Sequence, residues 1–150
     1  MGRGKRLLYD GAIYHIISRG HNRYRIFHTF KDYQSYLKLL KHYKPKFKFS
    51  LFHYCLMPNR IHLLLQIEKG KELPLLMQYI NQAYVRCYKK SYKLIGNLFQ
   101  GRYKALHIDK DEYLIECGRY IERNPLLHPF KNLLTRTVKR CRIQPYYEKI

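Results

Sequence analysis

Acidic side chains are scarce in this 150-residue chain: 10 Asp and Glu stand against 30 Lys and Arg, a formal charge of +20. So basic a surface collects polyanions, and the common soluble polyanions are nucleic acids, which makes nucleic-acid contact the first partner expectation. Long hydrophobic runs are missing as well. No apolar stretch approaches the roughly 20 residues of a membrane helix, and no apolar signal stretch follows Met1-Gly2-Arg3-Gly4-Lys5-Arg6. A cytoplasmic protein with no membrane partner is expected. Closely spaced cysteines are absent too: Cys55, Cys87, Cys117 and Cys141 lie too far apart for a zinc knuckle and read as small, reduced, buried hydrophobes. There is no repeat, low-complexity tract or Gly/Ser-rich linker, so the chain reads as one domain over residues 1–125 with a basic tail over 126–150. What is present is core material. Hydrophobic residues make up 46% and aromatics 15%, which excludes the low-hydrophobicity, high-charge class that stays disordered.

Gly11 to Ser18 is short, β-branched and aromatic, and Arg19-Gly20 closes it, so it predicts a first strand. Thr29 followed by Asp32 has the form of a capping box, and Tyr33, Tyr36, Leu37 and Leu40 recur at helical spacing until Pro45. Phe47 to Met57 and Ile61 to Ile67 are strand-length apolar runs split by the turn dipeptide Pro58-Asn59, which predicts an antiparallel hairpin. Pro74 opens a second helix with an apolar stripe through Leu76, Ile80, Ala83, Tyr84, Cys87 and Tyr88. Arg102 to Ile108 predicts a fourth strand, and Asp109 with Glu112 caps a third helix that Pro125 stops. The order strand, helix, strand, strand, helix, strand closes most simply as an α+β ferredoxin-like sandwich: a four-stranded antiparallel sheet with two helices on one face and an extra C-terminal helix. The other sheet face is then expected to lie open.

Alternation along the hairpin's second strand sends Ile61, Leu63 and Leu65 to the core and leaves Arg60 and His62 together on the open face. A lone histidine on a strand is more often a packing residue than a ligand. On the third helix Glu116, Tyr120 and Asn124 share one face at i, i+4 steps, opposite Leu114, Cys117 and Ile121. A single tyrosine among sixteen is ordinarily a packing residue, but Arg119 and Arg123 beside Tyr120 supply the positive charge that a phosphate under attack by a tyrosine hydroxyl requires.

Four phrases carry a resemblance: Tyr14-His15-Ile16-Ile17-Ser18-Arg19-Gly20, Leu56-Met57-Pro58-Asn59-Arg60-Ile61-His62-Leu63, Phe99-Gln100-Gly101-Arg102-Tyr103-Lys104 and Arg119-Tyr120-Ile121-Glu122-Arg123-Asn124-Pro125. Over residues 8 to 125 the chain resembles the single-tyrosine HUH transposases, and within them the REP-associated tyrosine transposases. The resemblance implies a ferredoxin-like domain that binds single-stranded DNA beside a hairpin, cuts it through a covalent 5′-phosphotyrosine and rejoins it. It makes Tyr120 the nucleophile and His62 the second histidine of a His-hydrophobic-His motif. Asn124 completes a site for a divalent metal, Mg²⁺ or Mn²⁺, with Glu116 and His15 as further candidate ligands.

The chain departs from that pattern at Arg60, where the motif wants its first histidine. A guanidinium has no lone pair for a cation and repels one placed nearby. Two readings stand open: His15 takes the place of the missing ligand, or Arg60 contacts the phosphate directly and the chain is a DNA-binding derivative that binds without efficient cutting. The tail departs too, since relatives continue with a Trp-containing segment and this chain has no tryptophan. Arg19, Arg23 and Arg25, interleaved with Tyr24 after the first strand, form either a solvated loop or a phosphate cradle. Arg102 and Lys104 join Arg119 and Arg123 as DNA-contact candidates, and exposed strand edges leave a homodimer open. A general RNA-binding module is disfavoured, because the Lys/Arg-Gly-aromatic strand motif of those domains is lacking.

Overall fold

The computed structural model describes residues 7–109 and 114–120. Its strands are β1 (Ile13–Arg19), β2 (Phe49–Met57), β3 (Arg60–Ile67) and β4 (Lys104–Ile108), and its long helices are α1 (Phe30–Phe47) and α2 (Leu73–Ser91). Residues 114–120 form a further helical segment, α3. The strands build one antiparallel sheet in the order β2-β3-β1-β4. This is the α+β, ferredoxin-like arrangement expected from the element order. Among the described residues no helix is long and apolar enough to cross a membrane.

The core lies between the sheet and the two long helices. Tyr14 and Ile16 of β1 and Ile61, Leu63, Leu65 and Ile67 of β3 point to it, where Tyr36 and Leu40 of α1 and Leu76, Ile80 and Tyr84 of α2 close over them. At about 25 cal/mol per Å² of apolar surface removed from water, this layer is the main source of stability. The α1 start is fixed by Asp32, whose carboxylate accepts the backbone N–H of Thr29 at 2.9 Å and of His28 at 2.8 Å. Pro45 does not stop α1, contrary to the sequence expectation. The helix runs on to Phe47, and Lys48 ends it in the left-handed region at φ 46°. Pro45 is exposed and sits in the last turn, so it removes a single backbone bond there, while the extra half-turn buries Phe47 to 3% exposure.

Two further differences bear on the site. Register between β2 and β3 shifts between Leu51 and His53, so Phe52 is the extra residue of a bulge that reverses the facing of the strand. Phe49 and Leu51 face the helices before it and Tyr54 and Leu56 after it, which sends Cys55 and Met57 to the other side. That side is also not fully open: Leu114 of α3 is buried against Cys55, Met57 and Leu64. Arg102 and Tyr103, expected within the fourth strand, precede β4. Glu112 and the expected helix end at Pro125 lie outside the described residues, as does the tail.

Candidate functional site

Two neighbouring strands supply the base of the site. In their antiparallel register Ile17 lies opposite His62, His15 opposite Leu64 and Arg19 opposite Arg60. Because side chains alternate, His15, Ile17 and Arg19 share a face with Arg60, His62 and Leu64, away from α1 and α2. His15 Nε2 and His62 Nδ1 meet at 3.0 Å, with the rings stacked at 5.3 Å between centroids. The two residues are only 4% and 2% exposed. Burial holds the His15 imidazole down to about 4 from an ordinary 6.5. Burial first, then the charges of His15, Arg60 and Arg19, hold His62 down to about 3. Both rings are therefore neutral near pH 7, one donating its N–H to the other.

Helix α3 brings the tyrosine over this pair. Gly118 approaches β2 so closely that a Cβ there would stand 3.0 Å from His53 Nε2; a residue without a side chain lets the helix settle on the strand. Two residues on, the Tyr120 ring stands edge-on to both imidazoles, 6.2 Å from each between centroids. It keeps 50% of its surface in solvent.

Positive charge lies beside the phenol at Arg60. Arg60 is half-buried, and burial, then the neighbouring Arg19 and Arg23 charges, push its guanidinium below its ordinary range, while Tyr120 acts in the opposite sense. Arg23 reaches this group through a tight turn in which Asn22 and Arg23 take φ of 50° and 61°. The turn between β2 and β3 is tied to the same segment: Pro58 O accepts Ile26 N–H at 2.6 Å and Asn59 O accepts Gly20 N–H at 3.0 Å. Lys104 lies opposite Ile17 on the site face, and a 470 Å³ depression joins Arg19, Arg102 and Lys104. Arg25 and Arg119 are exposed, on the loop and on α3. Arg123 and Asn124 fall outside the described residues.

Among the described residues no three His, Cys, Asp or Glu side chains are arranged to hold an ion, so exposed Glu116 does not join His15 and His62. Two neutral nitrogens beside the Arg60 and Arg19 guanidiniums are a poor match for a hard cation, which prefers oxygen ligands and anionic surroundings. The described residues do not by themselves fit a metal, and Asn124, the expected further ligand, lies outside them. The described residues fit a phosphate, whose oxygens accept from guanidinium N–H donors.

Parity alone foresaw Arg60 and His62 together, but not the facing of His15 or the Arg19–Arg60 pairing, which depend on the β1–β3 register. Nor did it foresee Cys55 opposite His62, a product of the bulge. One overlooked signal was Gly118, a helix-interior glycine that costs about 1 kcal/mol against alanine and so calls for a packing reason.

A ferredoxin-like sheet thus carries a tyrosine above a histidine pair on the face away from α1 and α2. The family described as Transposase IS200 like matches residues 9–124. The chain belongs to the IS200-like transposase family. In structure it is similar to a REP-associated tyrosine transposase solved bound to a REP hairpin, with TM-score 0.75 and 16% identity over 100% of this chain and 92% of that one. It is also similar to a candidate transposase from Deinococcus radiodurans R1, with TM-score 0.55 and 21% identity over 82% of this chain and 97% of that one. No curated protein matches it in sequence.

Proposed function

We propose that this chain binds single-stranded DNA carrying a hairpin and cuts and rejoins it at Tyr120, in a domain of residues 1–125 with 126–150 as a basic tail. The observation that carries the reading is the Tyr120 ring, half exposed, over the neutral His15–His62 pair and electrostatically coupled to Arg60. The Tyr120 oxygen attacks phosphorus in line, forming the tyrosyl O–P bond as the bond to the 3′ oxygen breaks. The phenol proton passes to solvent, and the departing 3′ oxygen takes one up. Arg60, Arg19 and Arg23 receive the charge that builds on the non-bridging oxygens. His15 and His62 stay neutral, excluding water beneath the ring and adding no positive charge of their own. Rejoining reverses the step, with an incoming 3′ hydroxyl attacking the phosphotyrosine. A REP hairpin on the structurally similar transposase supports a hairpin as the DNA form.

A second reading keeps binding and removes cutting. It is favoured by Arg60, which stands where the resemblance requires a metal-binding histidine, and by the lack of a three-donor group among the described residues. One assay separates the two. End-labelled hairpin DNA is incubated with the protein, with and without Mg²⁺ or Mn²⁺, and run under denaturing conditions. Cutting gives a covalent adduct that Tyr120→Phe abolishes, whereas the derivative binds the hairpin and forms none under either condition.

A further inference from the structure

Away from Tyr120, a groove of about 700 Å³ runs between α2 and the 96–103 loop, within the roughly 300–1,000 Å³ typical of ligand sites. A single stripe of α2 forms one wall, with Gln78 and Asn81 followed two to three turns on by Arg86 and Lys89. Phe99 and Arg102 stand on the facing wall. No acidic side chain among the described residues lines the groove. The Asn81 side-chain oxygen is enclosed without a hydrogen-bond partner, an arrangement that is costly unless a bound group completes the amide's bonding.

The loop wall is held in place. Leu98 and Tyr103 are 4% and 7% exposed, Leu98 O accepts the His21 N–H at 2.9 Å, and Gln100 N–H donates to Arg19 O at 2.8 Å. The wall is therefore pinned to the end of β1, at the residue that faces Arg60. Arg102 lines both this groove and the depression that contains Arg19 and Lys104, so cationic surface continues from the groove to the Tyr120 face.

We propose that the groove is a second nucleic-acid subsite, holding a single-stranded DNA segment that flanks the stretch bound at Tyr120. Arg86, Lys89 and Arg102 take its phosphates. An unstacked base lies against Phe99, with its edge on the Gln78 and Asn81 amides. A single strand is favoured over a duplex because only an unstacked base offers both its face to an aromatic ring and its edge to carboxamides. The inference rests on the reading that DNA occupies the Tyr120 face.

Fluorescence anisotropy on two labelled probes tests it: a hairpin without flanks, and the same hairpin with single-stranded extensions of about eight nucleotides, within the span of known single-strand sites. The flanked probe binds the unaltered protein about tenfold tighter at moderate salt, and Arg86→Glu with Lys89→Glu removes that gain while leaving the flankless hairpin within about threefold. Lys38→Glu with Lys41→Glu, the same charge change on exposed positions of α1, leaves the gain in place. Abasic nucleotides in the flank reduce it, as does Gln78→Ala. The proposal is overturned if the unaltered protein gains nothing from the flanks, if the gain survives Arg86→Glu with Lys89→Glu, or if the α1 pair removes it equally. If the flankless hairpin is not bound but a flank-only oligonucleotide is, with Arg86 and Lys89 required, the Tyr120 reading fails and the groove stands.

Discussion

On the helix side of the sheet, Ile61, Leu63, Leu65 and Ile67 are sealed at 0% exposure under α1 and α2. On the opposite side the same strand presents Arg60 and His62, covered among the described residues by the helical segment that carries Tyr120. The first face removes apolar surface from water and asks little of its side chains beyond size and fit. The second holds two imidazoles out of water, sets the Arg60 and Arg19 charges against His62 and brings Arg23 toward Arg60, an arrangement that works against stability. One face maintains the fold, and the other stores unfavourable charge.

That contrast can be broken by substitution. The largest effect belongs to the sealed face, where Leu63→Ala loses about 2–5 kcal/mol, read as a lower urea midpoint. Leu106→Ala, at a site-face position 53% exposed, shifts stability by about 0.5 kcal/mol or less. Equal losses would abolish the distinction between the faces.

Acid comes next. His15 and His62 bind protons in the folded chain only near about 4 and about 3, against 6.5 ordinarily. The unfolded chain therefore holds more protons between those values, and stability falls as pH drops below about 6.5. Near pH 4.5 the loss is about 2.6 kcal/mol per ring, seen in thermal unfolding across pH. The His15→Gln, His62→Gln double variant loses most of this acid limb. An unchanged limb in that variant would mean that the pair is not held neutral.

The smallest stability effect and a large functional one are expected together at Gly118. Gly118→Val drives a side chain into His53, lifts α3 and misplaces Tyr120, slowing adduct formation about 100-fold while unfolding shifts by about 1 kcal/mol or less. Adduct formation at the unaltered rate would show that the close approach of α3 to β2 does not position the tyrosine.

Much of the sealed face was legible in the sequence because alternation and helical periodicity report burial directly: Ile61, Leu63 and Leu65 on β3, and Leu76, Ile80 and Tyr84 on α2, took the places the pattern gave them. The bulge at Phe52 was not legible, since the run from Phe47 to Met57 mixes apolar residues on both faces and hides the reversal. Pro45 misled because local propensity yielded to the burial of Phe47. At the site, Arg60, His62 and Tyr120 stood out singly. Their joining to His15 and Arg19 rests on the strand register, which no local pattern encodes.

The central claim is that guanidiniums take up the phosphate charge at Tyr120, with Arg60 foremost. Its most direct test is the single-turnover rate of covalent adduct formation on labelled hairpin DNA, comparing the unaltered protein with Arg60→Gln at saturating protein. The account predicts an adduct on Tyr120 and a fall of about 100-fold or more in Arg60→Gln, the size seen when one charge-stabilising donor is removed from a reacting centre. An adduct that forms as fast without the guanidinium would contradict it, as would no adduct from the unaltered protein under any divalent-metal condition.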